Sequence, residues 1–266
     1  MMRRRLDAEL VRRGLAGSRT EARNAVRAGL VIVSGRPAAK PSTLVDPADP
    51  VELTGAARRF VSRGGEKLSV ALDRFGIDPA GLDCLDAGAS TGGFTDCLLR
   101  RGAARVIAVD VGYGQLAWSL RQDARVIVLE RMNVRDLQAR SIPFRPKLVT
   151  ADLSFISLRA VLPSLVGASA EGARLVLLVK PQFEAGRNDV GRGGVVADPG
   201  VWRRVLESVA AACRAVGVGV EDATASPLLG PSGNVEFFLS GRRGGHPGPV
   251  DLDAAVREGI ALRAAS

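Results

Sequence analysis

The sequence is poor in the residues that build metal centres and covalent cross-links, with three cysteines and one histidine among 266 residues. Cys84, Cys97 and Cys213 lack metal-ligand spacing and are too few for a disulfide framework, so we expect buried thiols and no metal in a cytoplasmic protein. The longest aliphatic run, at residues 175–179, is far shorter than the roughly 20 residues that span a bilayer. These absences argue against secreted scaffolds, zinc modules and stable membrane insertion.

Lysine is also scarce, because 33 of the 37 basic side chains are arginines. The lysines are Lys40, Lys67, Lys147 and Lys180. A partly buried lysine can lose its proton, whereas arginine stays charged, so a functional amine is to be sought among these four. Lys40 and Lys147 have the context of ordinary surface charges, and the other two lie in motif-like segments.

Positive charge is concentrated at one end of the chain. Residues 1–64 carry 13 basic and 6 acidic side chains, a formal +7, whereas the other 202 residues carry 24 and 22, a formal +2. A basic module followed by a nearly neutral body is typical of a protein that binds a polyanion through that module. We therefore expect the N-terminal region to bind nucleic acid.

The N-terminal region has the pattern of two short helices and small strands. Ser18 and Glu21 occupy the N-cap and N3 positions of a capping box, and the apolar run at 30–33 predicts a strand. The segments 4–7, 18–23 and 28–35 together resemble the S4 RNA-binding fold. The resemblance implies RNA contacts by arginines of this module, namely Arg4, Arg5, Arg19 and Arg23.

Beyond the first module, predicted strands alternate with predicted helices. Strands are expected at 82–87, 105–110, 125–129, 147–152, 174–179, 218–223 and 235–239, and helices at 92–101, 115–121, 158–169, 199–216 and 252–264. This alternation predicts an α/β fold with a parallel, doubly wound sheet, which binds ligands beyond the carboxyl ends of its strands. We expect a small α+β module at 3–57, a linker at 58–64, a Rossmann-like domain at 65–240, and a glycine-rich linker with a last helix at 241–266.

A glycine-rich turn, Asp86–Phe94, follows the first of these strands. Asp110 ends the next strand, where a carboxylate can hold the two hydroxyls of a ribose. The spacing of Gly88, Gly92 and Gly93 is not the Gly-x-Gly-x-x-Gly of dinucleotide sites. We therefore expect an adenosine-type ligand that has no pyrophosphate.

The same turn also spells Gly-x-Ser-x-Gly, the nucleophile elbow of α/β-hydrolases. Ser90 would then need His246 as its base, because the chain has no other histidine, and Asp222 could be the acid. In hydrolases the elbow follows several strands of the sheet, whereas here it follows only the first. The hydrolase interpretation is therefore the weaker one.

Three further polar segments lie beside predicted strands: Thr150–Phe155, Leu178–Glu184 and Ser232–Phe237. We expect each of them to end a strand at the edge of the sheet where ligands bind. Asp152 and Lys180 follow neighbouring apolar strands, and such positions converge on the active cleft of a doubly wound fold.

Together with the glycine turn and residues 62–68, these segments resemble the TlyA family, the hemolysin A group of ribosomal RNA 2′-O-methyltransferases. The related FtsJ-like methyltransferases use a Lys-Asp-Lys-Glu tetrad, which the resemblance places on Lys67, Asp152, Lys180 and Glu236. It implies S-adenosyl-L-methionine as the cofactor. The implied cofactor contacts are Asp86, Gly88, Ala89, Ser90, Thr91, Gly92, Gly93, Phe94, Asp110 on the ribose and Asn133 at the adenine.

The resemblance thus implies an S4 module followed by a Rossmann-like methyltransferase domain that acts on a cytidine ribose of 16S or 23S ribosomal RNA, free or within ribosomal subunits. Lys180 would accept the hydroxyl proton, Asp152 would position Lys180, and the other two tetrad residues would orient the ribose. Two alternatives remain. One is a non-catalytic RNA-binding factor for ribosome assembly. The other is a membrane-lytic hemolysin, although the sequence has no basic amphipathic helix of convincing length.

Overall fold

The computed structural model describes residues 3–27, 29–54, 59–246 and 248–266. The chain divides into two compact units, Met1–Val61 and Ser62–Ser266. Residues 55–58, where we expect the first module to end and the linker to begin, lie outside the described residues. None of the helices in the described ranges is long and apolar enough to cross a membrane.

The N-terminal unit packs two helices against short strands. The elements are β1 (Arg4–Arg5), α1 (Leu6–Arg12), α2 (Arg19–Arg27), β2 (Val31–Val33), β3 (Arg36–Pro37), β4 (Leu44–Val45) and β5 (Val51–Leu53). Strand β1 pairs with β4, and β2 lies between β3 and β5 in an antiparallel sheet. Leu6 and Leu10 of α1 are buried with Ala22 and Val26 of α2, so each helix turns its apolar face inward.

The predicted capping box begins α2. Ser18 Oγ accepts a hydrogen bond from the backbone N–H of Glu21 at 3.2 Å, as an N-cap side chain does. The Glu21 carboxylate accepts from the backbone N–H of Gly17 at 3.0 Å rather than from that of Ser18. Helix α2 therefore begins where the sequence predicts. The side chain of Glu21, however, bonds to the residue before the N-cap and not to the N-cap itself.

The C-terminal unit is built on a seven-stranded sheet. Its strands are β6 (Asp83–Ala87), β7 (Arg105–Val109), β8 (Val126–Leu129), β9 (Leu148–Ala151), β10 (Arg174–Val179), β11 (Val218–Ala225) and β12 (Phe237–Arg243). Its helices are α3 (Arg63–Arg74), α4 (Gly93–Arg100), α5 (Trp118–Arg121), α6 (Leu158–Ala168), α7 (Pro181–Glu184), α8 (Pro199–Ala215) and α9 (Leu252–Ala264). The strand order is β11-β12-β10-β9-β6-β7-β8.

Strands β6 to β10 are parallel and begin and end within one residue of their predicted positions. The central residues of β6, β7, β9 and β10 are buried and those of β8 are partly buried, which is why most of these strands are short and rich in apolar residues. The predicted helices at 158–169 and 199–216 are α6 and α8, each one residue shorter. The expectation for 115–121 is only partly met, because α5 is a single turn.

The expectation of an entirely parallel sheet is wrong for β12, which is antiparallel to both β10 and β11. The first residue of β12, Phe237, therefore pairs with Val179, the last residue of β10. The segment Ser232–Phe237 precedes a strand instead of ending one. Because β12 runs in the opposite direction, this segment nevertheless lies at the edge formed by the carboxyl ends of the parallel strands.

The last part of the chain packs on the same unit. Strand β12 continues to Arg243 and so occupies residues 241–243 of the expected linker. Helix α9 lies close to the start of β12, since a Cβ atom added to Gly259 would be 2.9 Å from Val235 Cγ1. Glu258 of α9 also accepts a hydrogen bond from the backbone N–H of Ala225, at 3.0 Å. The C-terminal helix is thus a packed element of the unit that carries the site.

Candidate active site

The polar residues predicted at the strand ends lie along one edge of the sheet. Asp110 follows β7, Asp152 follows β9 and Lys180 follows β10. Glu236 comes immediately before the antiparallel β12 and reaches the same edge. The glycine turn after β6 lies between these positions, because β6 is flanked by β7 and β9. The topology therefore brings segments from five strands to one cleft edge.

Lys180 and Asp152 form the first of two ion pairs. Lys180 Nζ lies 2.6 Å from Asp152 Oδ1, an ionic contact whose angles are not those of an aligned hydrogen bond. Lys180 Nζ also donates a hydrogen bond to Ser154 Oγ at 3.1 Å. Both partners belong to the segment after β9, so the end of one strand fixes the amine at the end of the next. Ser154 has no distinguishing pattern of its own in the sequence, although it lies in the predicted polar segment Thr150–Phe155.

Lys67 and Glu236 form the second ion pair, and this one is buried. Lys67 Nζ donates to Glu236 Oε2 at 2.6 Å, with Lys67 7% and Glu236 1% exposed. Lys67 lies in α3, whose buried residues include Leu68, Ala71 and Leu72. The pair therefore joins α3 to the start of β12. The structure thus arranges the predicted tetrad as two lysine–carboxylate pairs of different accessibility.

A third carboxylate, Glu184, joins the segment after β9 to the segment after β10. Glu184 is buried and accepts hydrogen bonds from Ser157 Oγ at 2.6 Å and from the backbone N–H of Leu158 at 2.5 Å. Arg159 Nε donates to it at 3.1 Å. Glu184, the last residue of α7, therefore accepts a hydrogen bond from a backbone N–H group that would otherwise be unpaired at the N-terminus of α6. Its only sequence signal was its place at the end of Leu178–Glu184.

The glycines of the turn are required by their protein neighbours. Gly88 has φ +86°, and a Cβ atom there would lie 2.2 Å from the backbone oxygen of Asp152. Gly92 has φ +98°, and a Cβ atom there would lie 2.2 Å from Leu120 Cδ1. The sequence predicts this turn as part of the site of an adenosine-type ligand. The structure adds a reason for its glycines, because only glycine lets the turn approach the segment that holds Asp152.

Asp110 organises the turn through two backbone groups. It accepts hydrogen bonds from the backbone N–H of Ser90 at 2.8 Å and from that of Gly112 at 2.6 Å. The two bonds use one lone pair on each oxygen, which leaves further acceptor capacity for ribose hydroxyls. Ser90 has φ +49°, a left-handed conformation held by this contact.

The remaining predicted cofactor residues differ in accessibility. Ser90 and Thr91 are exposed, whereas Ala89 and Phe94 are buried. The Phe94 ring stacks on Phe238 with a centroid separation of 6.2 Å, which places it in the core. Asn133 Oδ1 accepts from the backbone N–H of Arg135 at 3.0 Å, so its amide N–H groups stay available for another partner.

Asp86 is a buried carboxylate beside the turn. Thr95 Oγ1 donates to its Oδ2 at 2.7 Å, while Oδ1 has no hydrogen-bond partner among the described residues. Burial is the main reason that the pKa of Asp86 is raised to about 7. A buried, incompletely satisfied carboxylate suits a ligand that carries positive charge. Together with the acceptor capacity of Asp110, it fits a cationic adenosine-type cofactor.

We expect Asp86→Asn to stabilise the unliganded protein at pH 8 and to have a smaller effect at pH 5. The folded-state pKa is raised, so the stability that protonated Asp86 contributes is complete below pH about 4 and is lost as the pH rises through about 7. The difference should be on the order of 1–3 kcal/mol at pH 8. Urea unfolding at both pH values measures it. An equal effect at pH 5 and pH 8 would contradict the assignment.

The hydrolase interpretation fails on geometry. Ser90 Oγ donates to Gln115 Oε1 at 3.4 Å. The backbone of His246 lies next to Gly219, near the beginning of β11, because a Cβ atom there would be 2.8 Å from the His246 oxygen. Gly219 is at the amino-terminal edge of the sheet, opposite the glycine turn. Ser90 and His246 therefore cannot form a nucleophile–base pair.

The arginines predicted to bind RNA lie in the N-terminal unit, where three of them share one partner. Arg5, Arg19 and Arg23 each form an ion pair with Asp7. Arg4 is exposed in β1. All four side chains are exposed, but the sequence did not reveal the carboxylate that three of them share.

The C-terminal unit defines the class of protein. Its sheet has a single antiparallel strand, a glycine turn after β6 and an acidic residue after β7, an arrangement that in doubly wound folds binds a ligand with a ribose. Residues 60–243 match the FtsJ-like methyltransferase family, and residues 4–51 match the S4 domain. The chain belongs to the TlyA family of FtsJ-like methyltransferases.

Several relatives are similar over most of their length. The 16S/23S rRNA (cytidine-2′-O)-methyltransferase TlyA of Mycobacterium tuberculosis is 57% identical over 238 residues, which are 89% of each chain. Hemolysin A of Brachyspira hyodysenteriae is 37% identical and covers 88% of this chain and 98% of its own. A solved structure of a hemolysin-like protein from Streptococcus thermophilus has 38% identity and a TM-score of 0.78, and covers 100% of this chain and 97% of its own. The similarity therefore extends over both units.

Proposed function

We propose that this protein transfers a methyl group from S-adenosylmethionine to the 2′-hydroxyl of a cytidine ribose in 16S or 23S ribosomal RNA. The observation that carries the proposal is the Lys180–Asp152 pair at the ends of adjacent strands, next to the turn after β6. The substrate class is that named for the Mycobacterium tuberculosis relative. Because ribosomal RNA is the substrate, we place the protein in the cytoplasm.

The geometry around Lys180 suits a general base. The sulfonium of bound S-adenosylmethionine supplies an activated methyl group. The protein must hold the ribose hydroxyl in line with it and remove the hydroxyl proton. A neutral Lys180 amine has two N–H groups and one lone pair. Ser154 Oγ accepts one N–H group at 3.1 Å and Asp152 Oδ1 makes an ionic contact with the amine at 2.6 Å, so these two partners hold the amine and its lone pair is left for the hydroxyl.

The proton balance follows from this arrangement. Lys180 Nζ would accept the hydroxyl proton as the ribose oxygen takes the methyl group that bound S-adenosylmethionine would supply. Asp152 then faces the ammonium that has formed and stabilises it. Ser154 keeps the amine from rotating out of line. This role makes Ser154 a positioning residue that the tetrad alone does not include.

Lys67 and Glu236 have a different role. Their pair is almost inaccessible, so it acts on the ribose through the backbone that it fixes. It holds α3 against the beginning of β12, and both elements approach the edge that carries Lys180. We therefore assign the pair to positioning.

The cofactor and RNA contacts complete the assignment. Asp110 holds the ribose of the cofactor, Asp86 provides negative charge beside the turn and Asn133 contacts the adenine. In the N-terminal unit the exposed arginines bind RNA phosphates, which gives affinity without sequence choice.

The proposal is tested by methyl transfer itself. Purified protein is incubated with tritiated S-adenosylmethionine and either 16S or 23S transcripts, or with ribosomal subunits from a strain that lacks the gene. Label should enter the RNA, and mapping should locate it at a cytidine 2′-oxygen. Calorimetry that detects no S-adenosylmethionine binding would favour the assembly factor instead. Dye release from liposomes at physiological salt would favour the lytic protein.

We expect Asp110→Ala to weaken S-adenosylmethionine binding by about tenfold or more, because it removes charge-assisted hydrogen bonds to ribose hydroxyls. Isothermal titration calorimetry measures the loss. Asp123→Ala is the matched control, since Asp123 precedes β8 at the opposite edge and pairs with Arg125. Unchanged affinity in Asp110→Ala would contradict the ribose assignment.

A further inference from the structure

Three arginines of the N-terminal unit converge on one buried carboxylate. Asp7 is 0% exposed. Arg5 donates to it through Nε and Nη2 at 3.1 and 3.0 Å, Arg23 through Nε at 3.2 Å, and Arg19 through Nη2 at 3.3 Å. The arginines come from different elements, with Arg5 in β1 and the other two one turn apart on α2. The arrangement is therefore tertiary and not a local helix pair.

The guanidinium groups remain accessible although their partner is not. The side chains of Arg5, Arg19 and Arg23 are 45%, 53% and 45% exposed. Three positive charges and one negative charge leave a formal surplus of two. The arginines donate hydrogen bonds that hold the pKa of Asp7 well below its usual range, and the bond from Arg5 has the largest effect. Asp7 therefore stays charged at neutral pH.

Without a central carboxylate the three guanidinium groups would repel one another, and each long side chain would sample many rotamers. Binding to a phosphate would then have to immobilise them at that moment. The buried Asp7 removes both obstacles before RNA arrives, because it holds three donor groups together on one surface.

We propose that Asp7 is a positioning residue for RNA binding, which presets Arg5, Arg19 and Arg23 as one phosphate-binding cluster. The inference rests on the proposed function only in that ribosomal RNA is taken as the ligand. The proposal predicts a change in RNA affinity that is opposite in sign to the one expected from net charge. Removing the negative charge of Asp7 should weaken binding to a polyanion, whereas simple electrostatics requires tighter binding.

The same helix offers a matched control in Glu9. Glu9 is also 0% exposed and pairs with Arg12 and Arg13. Arg13 keeps other partners, because it donates to the backbone oxygens of Asp49 at 2.8 Å and Pro47 at 2.9 Å. Glu9→Gln therefore changes the net charge by the same amount as Asp7→Asn without freeing the cluster around Asp7.

The experiment measures equilibrium binding of 23S ribosomal RNA transcripts to the full-length wild-type, Asp7→Asn and Glu9→Gln proteins over a range of salt concentrations. We expect the dissociation constant of Asp7→Asn to rise about tenfold, that of Glu9→Gln to stay level or fall slightly, and the affinity for S-adenosylmethionine to stay unchanged in both. Asp7→Asn that binds RNA as tightly as wild type, or more tightly, would overturn the proposal. Wild-type protein that binds no RNA would overturn the proposed function as well.

A second pair of variants covers the case in which Asp7→Asn does not fold. Arg23→Lys keeps the charge but loses the Nε–H that reaches Asp7. Arg27→Lys is the control, because Arg27 is exposed on the same helix and has no ion pair among the described residues. Weaker RNA binding by Arg23→Lys alone supports the cluster. Equal binding by both variants refutes it.

Discussion

Replacing Lys180 with methionine should lower the rate of methyl transfer by about 10²- to 10⁴-fold, the usual contribution of a general base. The methionine side chain is similar in length to that of lysine but has no amine. The cleft therefore keeps its shape while the proton acceptor is lost. Asp152 and Ser154 lose their partner, but Asp152 is partly accessible to water, with its side chain 25% exposed, so the fold should tolerate the change. The expected signature is a lower kcat with little change in cofactor affinity.

Lys147→Met is the matched control for this prediction. Lys147 lies exposed just before β9, whereas Asp152 follows the same strand at its other end. Both variants remove one positive charge from the same unit, so a general electrostatic effect on RNA binding would affect them alike. Single-turnover transfer of tritiated methyl groups measures the rates, and calorimetry measures cofactor binding. Near-normal turnover by Lys180→Met would refute the assignment of Lys180 as the base.

The strand ends were predictable because they depend on local patterns. Strands β6, β7, β9 and β10 are buried and β8 is partly buried, and the polar residues that follow β7, β9 and β10 mark the edge of the sheet. Asp110, Asp152 and Lys180 were therefore located from the sequence by strand position. The direction of β12 was not predictable in this way, because it depends on the pairing of β12 with β10 and β11 and not on its own composition.

The partners of the candidate catalytic residues were less accessible to sequence reasoning. Lys67 and Glu236 are separated by 169 residues, and neither has a local pattern that points to the other. Only the family resemblance placed them in one tetrad. The glycine turn was predicted as a ligand loop, but a Cβ atom at Gly88 would collide with the Asp152 backbone, a contact that no spacing within the turn could indicate. The role of Asp7 could not be read from the sequence, because an acid close to several arginines has the pattern of an ordinary surface charge.

The Lys67–Glu236 pair leads to the second large effect, which is on stability. Lys67→Met should lower the free energy of unfolding by about 3–5 kcal/mol, because it leaves Glu236 charged and unpaired in a buried position. The double variant Lys67→Met/Glu236→Leu removes both charges and should regain most of that stability, since well-packed apolar residues commonly replace a buried ion pair without loss. Urea unfolding of the single and double variants measures both effects.

The activity of the double variant then separates a positioning role from mere stabilisation of the fold. If the pair positions α3 and the beginning of β12 for the ribose, the restored protein should still methylate RNA at least about tenfold more slowly, because reacting groups that are slightly misplaced react slowly. Arg74→Met is the control, since Arg74 lies on the same helix, forms a more exposed ion pair with Glu258 at 3.6 Å and should change neither property much. A double variant with full stability and full activity would show that the pair only holds the fold together. A stable double variant with slow transfer and normal S-adenosylmethionine binding would place the effect in the alignment of the ribose with the methyl group.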